Sequence, residues 1–239
     1  MADPLLRIDA LHAGYGDAVV LHGIDLTIAD GAAVALLGRN GAGKSTVLKT
    51  ILNAGPKLVS GRISLDGRDL RTLGADARAR AGLMLVPEDR RIFPHITVAE
   101  NIALGVHAAR PGVKPMTMDE IWDLFPALVP FAERAGYALS GGQQQMVAVA
   151  RGVIARPRLL LLDEPVEGLA PVIVDQMAAE IRRLHRDHGL TVLVTEQNLS
   201  FARAVTDTLH LIDSGELVHS GDWAGFDADP TLKTRYLAV

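Results

Sequence analysis

The chain has 239 residues, no cysteine and a formal net charge of −4. That length suits one large α/β domain or two small ones, the missing cysteines exclude disulfides and thiolate metal sites, and the acidic balance argues against a nucleic-acid binder working through bulk positive charge. Hydrophobic residues make up 49% and aromatics only 4%, so the expected core is built from Leu, Val, Ile and Ala. The opening Met1–Arg7 lacks a basic stretch followed by an apolar run, so no signal peptide is expected. No apolar run approaches the roughly 18 residues needed to cross a bilayer. The expectation is a soluble, cytosolic protein whose membrane links run through partners.

Leu5 to Leu11 and Val19 to Ile28 read as strands, separated by Gly14-Tyr15-Gly16-Asp17, a turn by composition. Asp30-Gly31 turns the chain into Ala33 to Leu37, a short buried strand. Next comes Gly38-Arg39-Asn40-Gly41-Ala42-Gly43-Lys44-Ser45-Thr46, which matches the phosphate-loop pattern G-x-x-x-x-G-K-[ST]. Val47, Leu48, Ile51 and Leu52 follow at helical spacing, so the loop joins a strand to a helix, the context the motif requires. Its glycines let the backbone curl around an anion. Its amides and the positive end of the helix then face the phosphates. Lys44 is expected to reach the β- and γ-phosphates, and Ser45 to ligate Mg²⁺.

Gly61 to Leu65 reads as a strand, Asp66-Gly67 as a tight hairpin turn, and Leu83 to Pro87 as an apolar strand of a parallel sheet. From Glu88 the pattern turns helical. Thr97–Glu100 and Thr117–Glu120 are capping boxes, with a loop over 110–115 between their helices. The region of about 88–156 reads as a helical subdomain inserted into an α/β core formed by about 1–87 and 157–239. The core resumes with a buried strand at Arg158 to Asp163. A helix then runs from near Pro171, a good first-turn residue, to Gly189, a C-cap. A strand at Leu190 to Thr195, a short helix around Phe201 and a hairpin of Thr208–Ile212 with Glu216–His219 complete the reading.

Two further stretches carry chemistry. Asp163 and Glu164 end an apolar strand, where ligands of open α/β sheets sit. Asp163 can hold Mg²⁺, and Glu164 is placed to polarise a water attacking a γ-phosphate. Leu139-Ser140-Gly141-Gly142-Gln143 opens a helix continued by Met146, Val147, Val149, Ala150, Val153 and Ile154, which makes a second anion cradle from Ser140, Gly141, Gly142 and Gln143.

Taken in order, Gly38–Thr46, Leu139–Gln143 and Leu159–Pro165 resemble an ABC-type ATPase domain over essentially the whole chain. The resemblance implies an α/β P-loop NTPase with a parallel sheet, an N-terminal antiparallel β part and the helical insertion. It implies ATP and Mg²⁺ as cofactors and head-to-tail pairing. Each ATP would lie between the phosphate loop of one copy and the Ser140–Gln143 stretch of the other. Tyr15 then matches the adenine-stacking aromatic of the family. Glu88 stands where the family usually has a Gln that senses Mg²⁺, and Gln197 where it usually has a His. Gln can donate a hydrogen bond to a γ-phosphate but carries no titratable proton, which leaves Glu164 as the base.

These departures resemble the ATP-binding subunits of branched-chain amino-acid importers. The partners so implied are a second ATP-binding subunit, identical or homologous, membrane permeases and, indirectly, a solute-binding protein. The implied place is the inner face of the membrane. Importers of urea or short amides share much of the pattern. A soluble ABC-type ATPase would usually bring a second cassette, a coiled-coil insertion or cysteines. A P-loop kinase or GTPase would leave the Ser140–Gln143 stretch unexplained.

Overall fold

A computed structural model describes residues 4–237. The first three residues of the opening stretch, and the last two of the chain, lie outside the described residues. The N-terminal part is an antiparallel sheet of β1 (Leu6–Tyr15), β2 (Ala18–Ile28), β4 (Lys57–Leu65) and β5 (Arg68–Asp69), in the order β2-β1-β4-β5. Between β2 and β4 come β3 (Ala33–Leu37) and helix α1 (Lys44–Leu52). Helix α2 (Ala75–Arg80) and β6 (Leu83–Val86) follow β5. Only helical elements lie between β6 and β7: α3 (Val98–Ala103), α4 (Met118–Leu124), α5 (Gly141–Val153) and short 3-10 turns. The rest is β7 (Leu159–Asp163), α6 (Pro171–His188), β8 (Thr191–Glu196), α7 (Leu199–Val205), β9 (Thr208–Asp213), β10 (Glu216–Asp222), α8 (Trp223–Ala228) and α9 (Pro230–Tyr236).

The second sheet has the order β10-β9-β3-β8-β7-β6, parallel except for the terminal hairpin of β9 and β10. Its central strands are buried on both faces, which is why they read as unbroken apolar runs. Alternate residues still face opposite ways. Ala33, Ala35, Leu37, Leu160, Leu162, Val192 and Val194 pack with α5, α6 and α7. Val34, Leu36, Leu159, Leu161 and Leu193 pack with α1 and the antiparallel sheet. The fold is therefore α/β, with the antiparallel part, the parallel sheet and the helical stretch expected.

The structure redraws several boundaries. The first turn is only Gly16-Asp17, because Gly14 and Tyr15 stay paired with β2. Strand β4 begins at Lys57, four residues before its apolar alternation. Gly61 sits mid-strand with φ 98°, and a Cβ there would lie 2.5 Å from the Ala10 carbonyl oxygen, so the strand bulges where only glycine fits. The helix capped by Thr97 is α-helical only to Ala103 and then tightens to 3-10 from Leu104 to Ala108. Strand β10 runs past His219 to Asp222. Helices α2, α8 and α9 were not expected from the pattern. The hairpin at Asp66-Gly67 is as expected, with φ of 52° and 73° at its two central residues.

Arg78 on α2 is an unforeseen anchor. It is 2% exposed, and its guanidinium donates to the carbonyls of Thr50, Ile51 and Leu73. It thus satisfies the last open carbonyls of α1, where a cation is also favoured by the helix dipole. Asn101 does similar work further on. Its side chain accepts from the Phe93 amide and donates to the carbonyls of Phe93 and Thr97, which fixes the 93–97 segment.

Candidate functional site at the carboxyl edge of the parallel sheet

Strands β3, β7 and β8 end at one edge, with Leu37 beside Glu196 and Asp163 beside Thr195. The phosphate loop leaves β3 there and runs into α1. Its glycines serve different ends. Gly41 and Gly43 adopt φ of 80° and 109°, in the left-handed region. Gly38 does not; there a Cβ would stand 2.4 Å from the Ile212 carbonyl oxygen on β9, so close approach is its reason. The loop faces a cavity of about 170 Å³ lined by Asn40, Lys44, Ser45, Thr46, Glu88 and Glu164 among others.

Lys44 is nearly buried, and its ammonium donates to the carbonyls of Gly38 at 2.8 Å and Arg39 at 3.1 Å. It also pairs with Glu164 Oε1 at 2.9 Å. Burial alone would raise the Glu164 carboxyl, but hydrogen bonds from Lys44 and Gln197 outweigh it and hold the group below its ordinary value. The Gln197 amide donates both to Glu164 Oε2 at 3.0 Å and to Asn40 Oδ1 at 2.6 Å, tying the end of β8 to the phosphate loop. Glu164 itself has φ 44°, a strained value for a non-glycine residue. Its amide donates to the Thr195 carbonyl, which keeps the carboxylate over the loop.

The Ser45 hydroxyl donates to Asp163 Oδ1 at 2.8 Å, and the Thr195 hydroxyl donates to the same oxygen at 2.9 Å. This cluster of hydroxyl and carboxylate oxygens, with Glu88 lining the same cavity, fits a small hard divalent cation such as Mg²⁺.

Tyr15 ends β1 with its ring 46% exposed and does not line the loop cavity. Nor do Ser140, Gly141, Gly142 and Gln143. They form the capping box of α5: the Ser140 amide donates to Gln143 Oε1 at 2.9 Å and the Gln143 amide to Ser140 Oγ at 3.4 Å. Arg90 lies over this turn, its guanidinium 2.9 Å from where a Cβ on Gly141 would be.

Three residues of the site escaped the sequence reading. Thr195 joins Asp163 to the backbone of Glu164. Glu167 faces Glu164, and their shared hydrogen bond, burial and mutual repulsion push its carboxyl up. Glu196 is 3% exposed; its Oε2 accepts the amides of Gln197 and Asn198, while Oε1 is buried without a partner. Burial raises its carboxyl to about 7. The visible signal was a polar Thr195-Glu196 pair closing an otherwise apolar strand.

A phosphate loop joining β3 to α1, faced by two carboxylates at the end of β7, the parallel strand one place beyond β8, defines a P-loop nucleoside triphosphatase. The family model described as ABC transporter matches residues 21–167. The chain belongs to the ABC transporter family as an ATP-binding, ATP-hydrolysing subunit. It is 36% identical to the high-affinity branched-chain amino acid transport ATP-binding protein BraG of Pseudomonas aeruginosa, covering 98% of this chain and 99% of that one. It is 32% identical to a probable branched-chain amino acid transport ATP-binding protein, LivF, of Archaeoglobus fulgidus, covering 91% and 92%. A dimeric ATP-binding cassette in a post-hydrolysis state, bound to ADP and phosphate, superposes with a TM-score of 0.79 at 24% identity, covering 91% of this chain and 98% of that one. That last likeness is one of fold. No helix among the described residues is long and apolar enough to cross a membrane.

Proposed function

We propose that the chain energises import of branched-chain or related amino acids through membrane permeases, as one of a head-to-tail pair of ATP-binding subunits. The observation that carries this reading is likeness along nearly the full length of BraG and LivF. By contrast, an sn-glycerol-3-phosphate import ATP-binding protein of Rhizobium johnstonii, also 36% identical, is covered over only 58% of its length.

In this reading Lys44 exchanges partners. Without nucleotide it is held by two loop carbonyls and Glu164; with ATP it turns to the β- and γ-phosphates. Glu164 is then released to accept the proton of the attacking water, and Gln197 aligns it against Asn40. Mg²⁺, held by Ser45 and Asp163 with Glu88 nearby, would neutralise phosphate charge. Tyr15 supplies an open face for the adenine ring. Ser140–Gln143, with Ser140 exposed at the start of α5, closes over the ATP of the partner copy. Phe93 borders a groove of about 290 Å³ with Leu104 and Arg151, a fit for an apolar permease loop.

The test is Glu164→Gln. Hydrolysis should fall by roughly 10²–10⁴-fold, the range for losing a general base, while ATP binding persists and a dimer accumulates on a sizing column. Near-normal turnover would remove Glu164 as the base. Loss of turnover with no ATP-dependent dimer would remove the head-to-tail pairing. Purification of the native complex would name the permeases and hence the solute class.

A further inference from the structure

A second cavity, of about 280 Å³, opens at the amino edge of the parallel sheet, away from the phosphate loop. It is bounded by the turn before β3, the segment joining α5 to β7, the end of α6, and the 110–116 loop. Its volume falls just below the range typical of drug-sized ligands, so a small metabolite is the scale it suits.

One side of it is apolar, formed by Met116, Val153, Leu184 and Leu190. The other carries three arginines in unequal states. Arg158 divides its guanidinium between Asp30 and Asp66, and Arg156 pairs with Glu120. The Arg110 side chain makes no hydrogen bond or ion pair among the described residues, and its Nε is shut off from solvent without a partner. Its stem runs across the bare backbone of Gly82, with Cδ 2.9 Å from where a Cβ there would stand. A guanidinium without a protein partner, lining the same cavity as an apolar wall, is the chemistry that recognises a carboxylate carried on a hydrocarbon body. Asp30 lines the same cavity, its Oδ2 paired with Arg158 and its Oδ1 in only a long contact with the Thr191 hydroxyl, at 3.4 Å. A carboxylate oxygen so lightly engaged can accept from an ammonium.

We propose that this cavity binds a small aliphatic carboxylate, Arg110 gripping the carboxylate and the Met116–Val153–Leu184–Leu190 wall taking the hydrocarbon. An aliphatic amino acid is the version that also engages Asp30. Such a ligand touches both the helical stretch between β6 and β7 and the ends of the sheet strands, so it favours the arrangement in which those walls stand at this spacing. The proposal is independent of the transport reading, and failure here leaves that reading untouched.

Calorimetric titration of the full chain, its phosphate loop first saturated with ADP, with L-leucine, 4-methylpentanoate, leucinamide and inorganic phosphate tests it. Leucine should bind, and leucinamide and phosphate should bind about tenfold more weakly or worse, the effect of losing one charged hydrogen-bonded group or the apolar contact. Arg110→Gln should weaken leucine by a similar factor and leave ATP affinity unchanged. Binding of 4-methylpentanoate equal to leucine assigns the site to plain carboxylic acids. Weaker binding, with a matching loss in Asp30→Asn, assigns it to amino acids. The proposal fails if neither acid binds, if phosphate or leucinamide binds as well as leucine, or if Arg110→Gln has no effect. Should Arg110→Gln not fold, a crystal structure with leucine decides: the carboxylate lies on Arg110, or the proposal is wrong.

Discussion

The phosphate loop and the Ser140–Gln143 turn both place backbone amides at the start of a helix, yet the chain treats them differently. At the first, the buried charges nearest the loop are partnered inside the protein: Lys44 by Glu164 and two carbonyls, Glu164 by Gln197, Asp163 by Ser45 and Thr195. At the second, the polar groups satisfy only each other, through a capping box on an exposed turn. In the proposed function the first region is a closed circuit that nucleotide would rewire, and the second a turn that would meet the nucleotide held by a partner copy.

Lys44→Ala probes the closed circuit most harshly. It strands a buried carboxylate, so unfolding free energy should fall by about 3–5 kcal/mol, and ATP affinity should drop sharply. Adding Glu164→Gln should recover much of the stability but not the affinity, as read by urea denaturation and nucleotide titration. Additive losses would mean that the two side chains are not coupled.

Arg78→Leu comes next. It leaves the buried Ile51 carbonyl without its donor and takes one of two donors from Thr50, so about 2 kcal/mol of stability should go. Because α1 carries the phosphate loop, ATP affinity should weaken with it, whereas the α5 turn should keep its hydrogen-exchange protection. Equal loss of protection at both turns would deny that they are held independently.

Glu196 gives the site a pH signature. Its folded carboxyl sits at about 7, above the 4.5 of an ordinary glutamate. Its contribution to stability is therefore complete below about 4.5 and lost as pH rises through about 7. Between pH 5 and 8, wild type should lose roughly 3 kcal/mol relative to Glu196→Gln, the size implied by that displacement. Parallel stability curves for the two proteins would refute a buried, protonated Glu196.

The smallest effect belongs to the open turn. Ser140→Ala removes a cap and should cost about 1 kcal/mol, with ATP affinity of the single chain unchanged and ATP-driven pairing lost. A fall in single-chain affinity would erase the distinction between the regions.

The sequence by itself determined the strand–loop–helix around Gly38–Thr46, the Ser140 start of a helix, the carboxylates Asp163 and Glu164 closing an apolar strand, and the helix from Pro171 with Gly189 at its end. Each is written in contiguous residues whose spacing, caps and glycines act locally. Gln197 was legible only through family likeness, and the structure shows its amide spanning Asn40 and Glu164. Tertiary structure alone decided the rest: that Lys44 rests on Glu164, that Thr195 and Glu196 belong to the site, that Arg78 closes α1, and that Arg110 is left without a partner. Those facts join residues far apart in the chain, and the energy of a buried charge depends on neighbours that only packing of the sheet edges supplies.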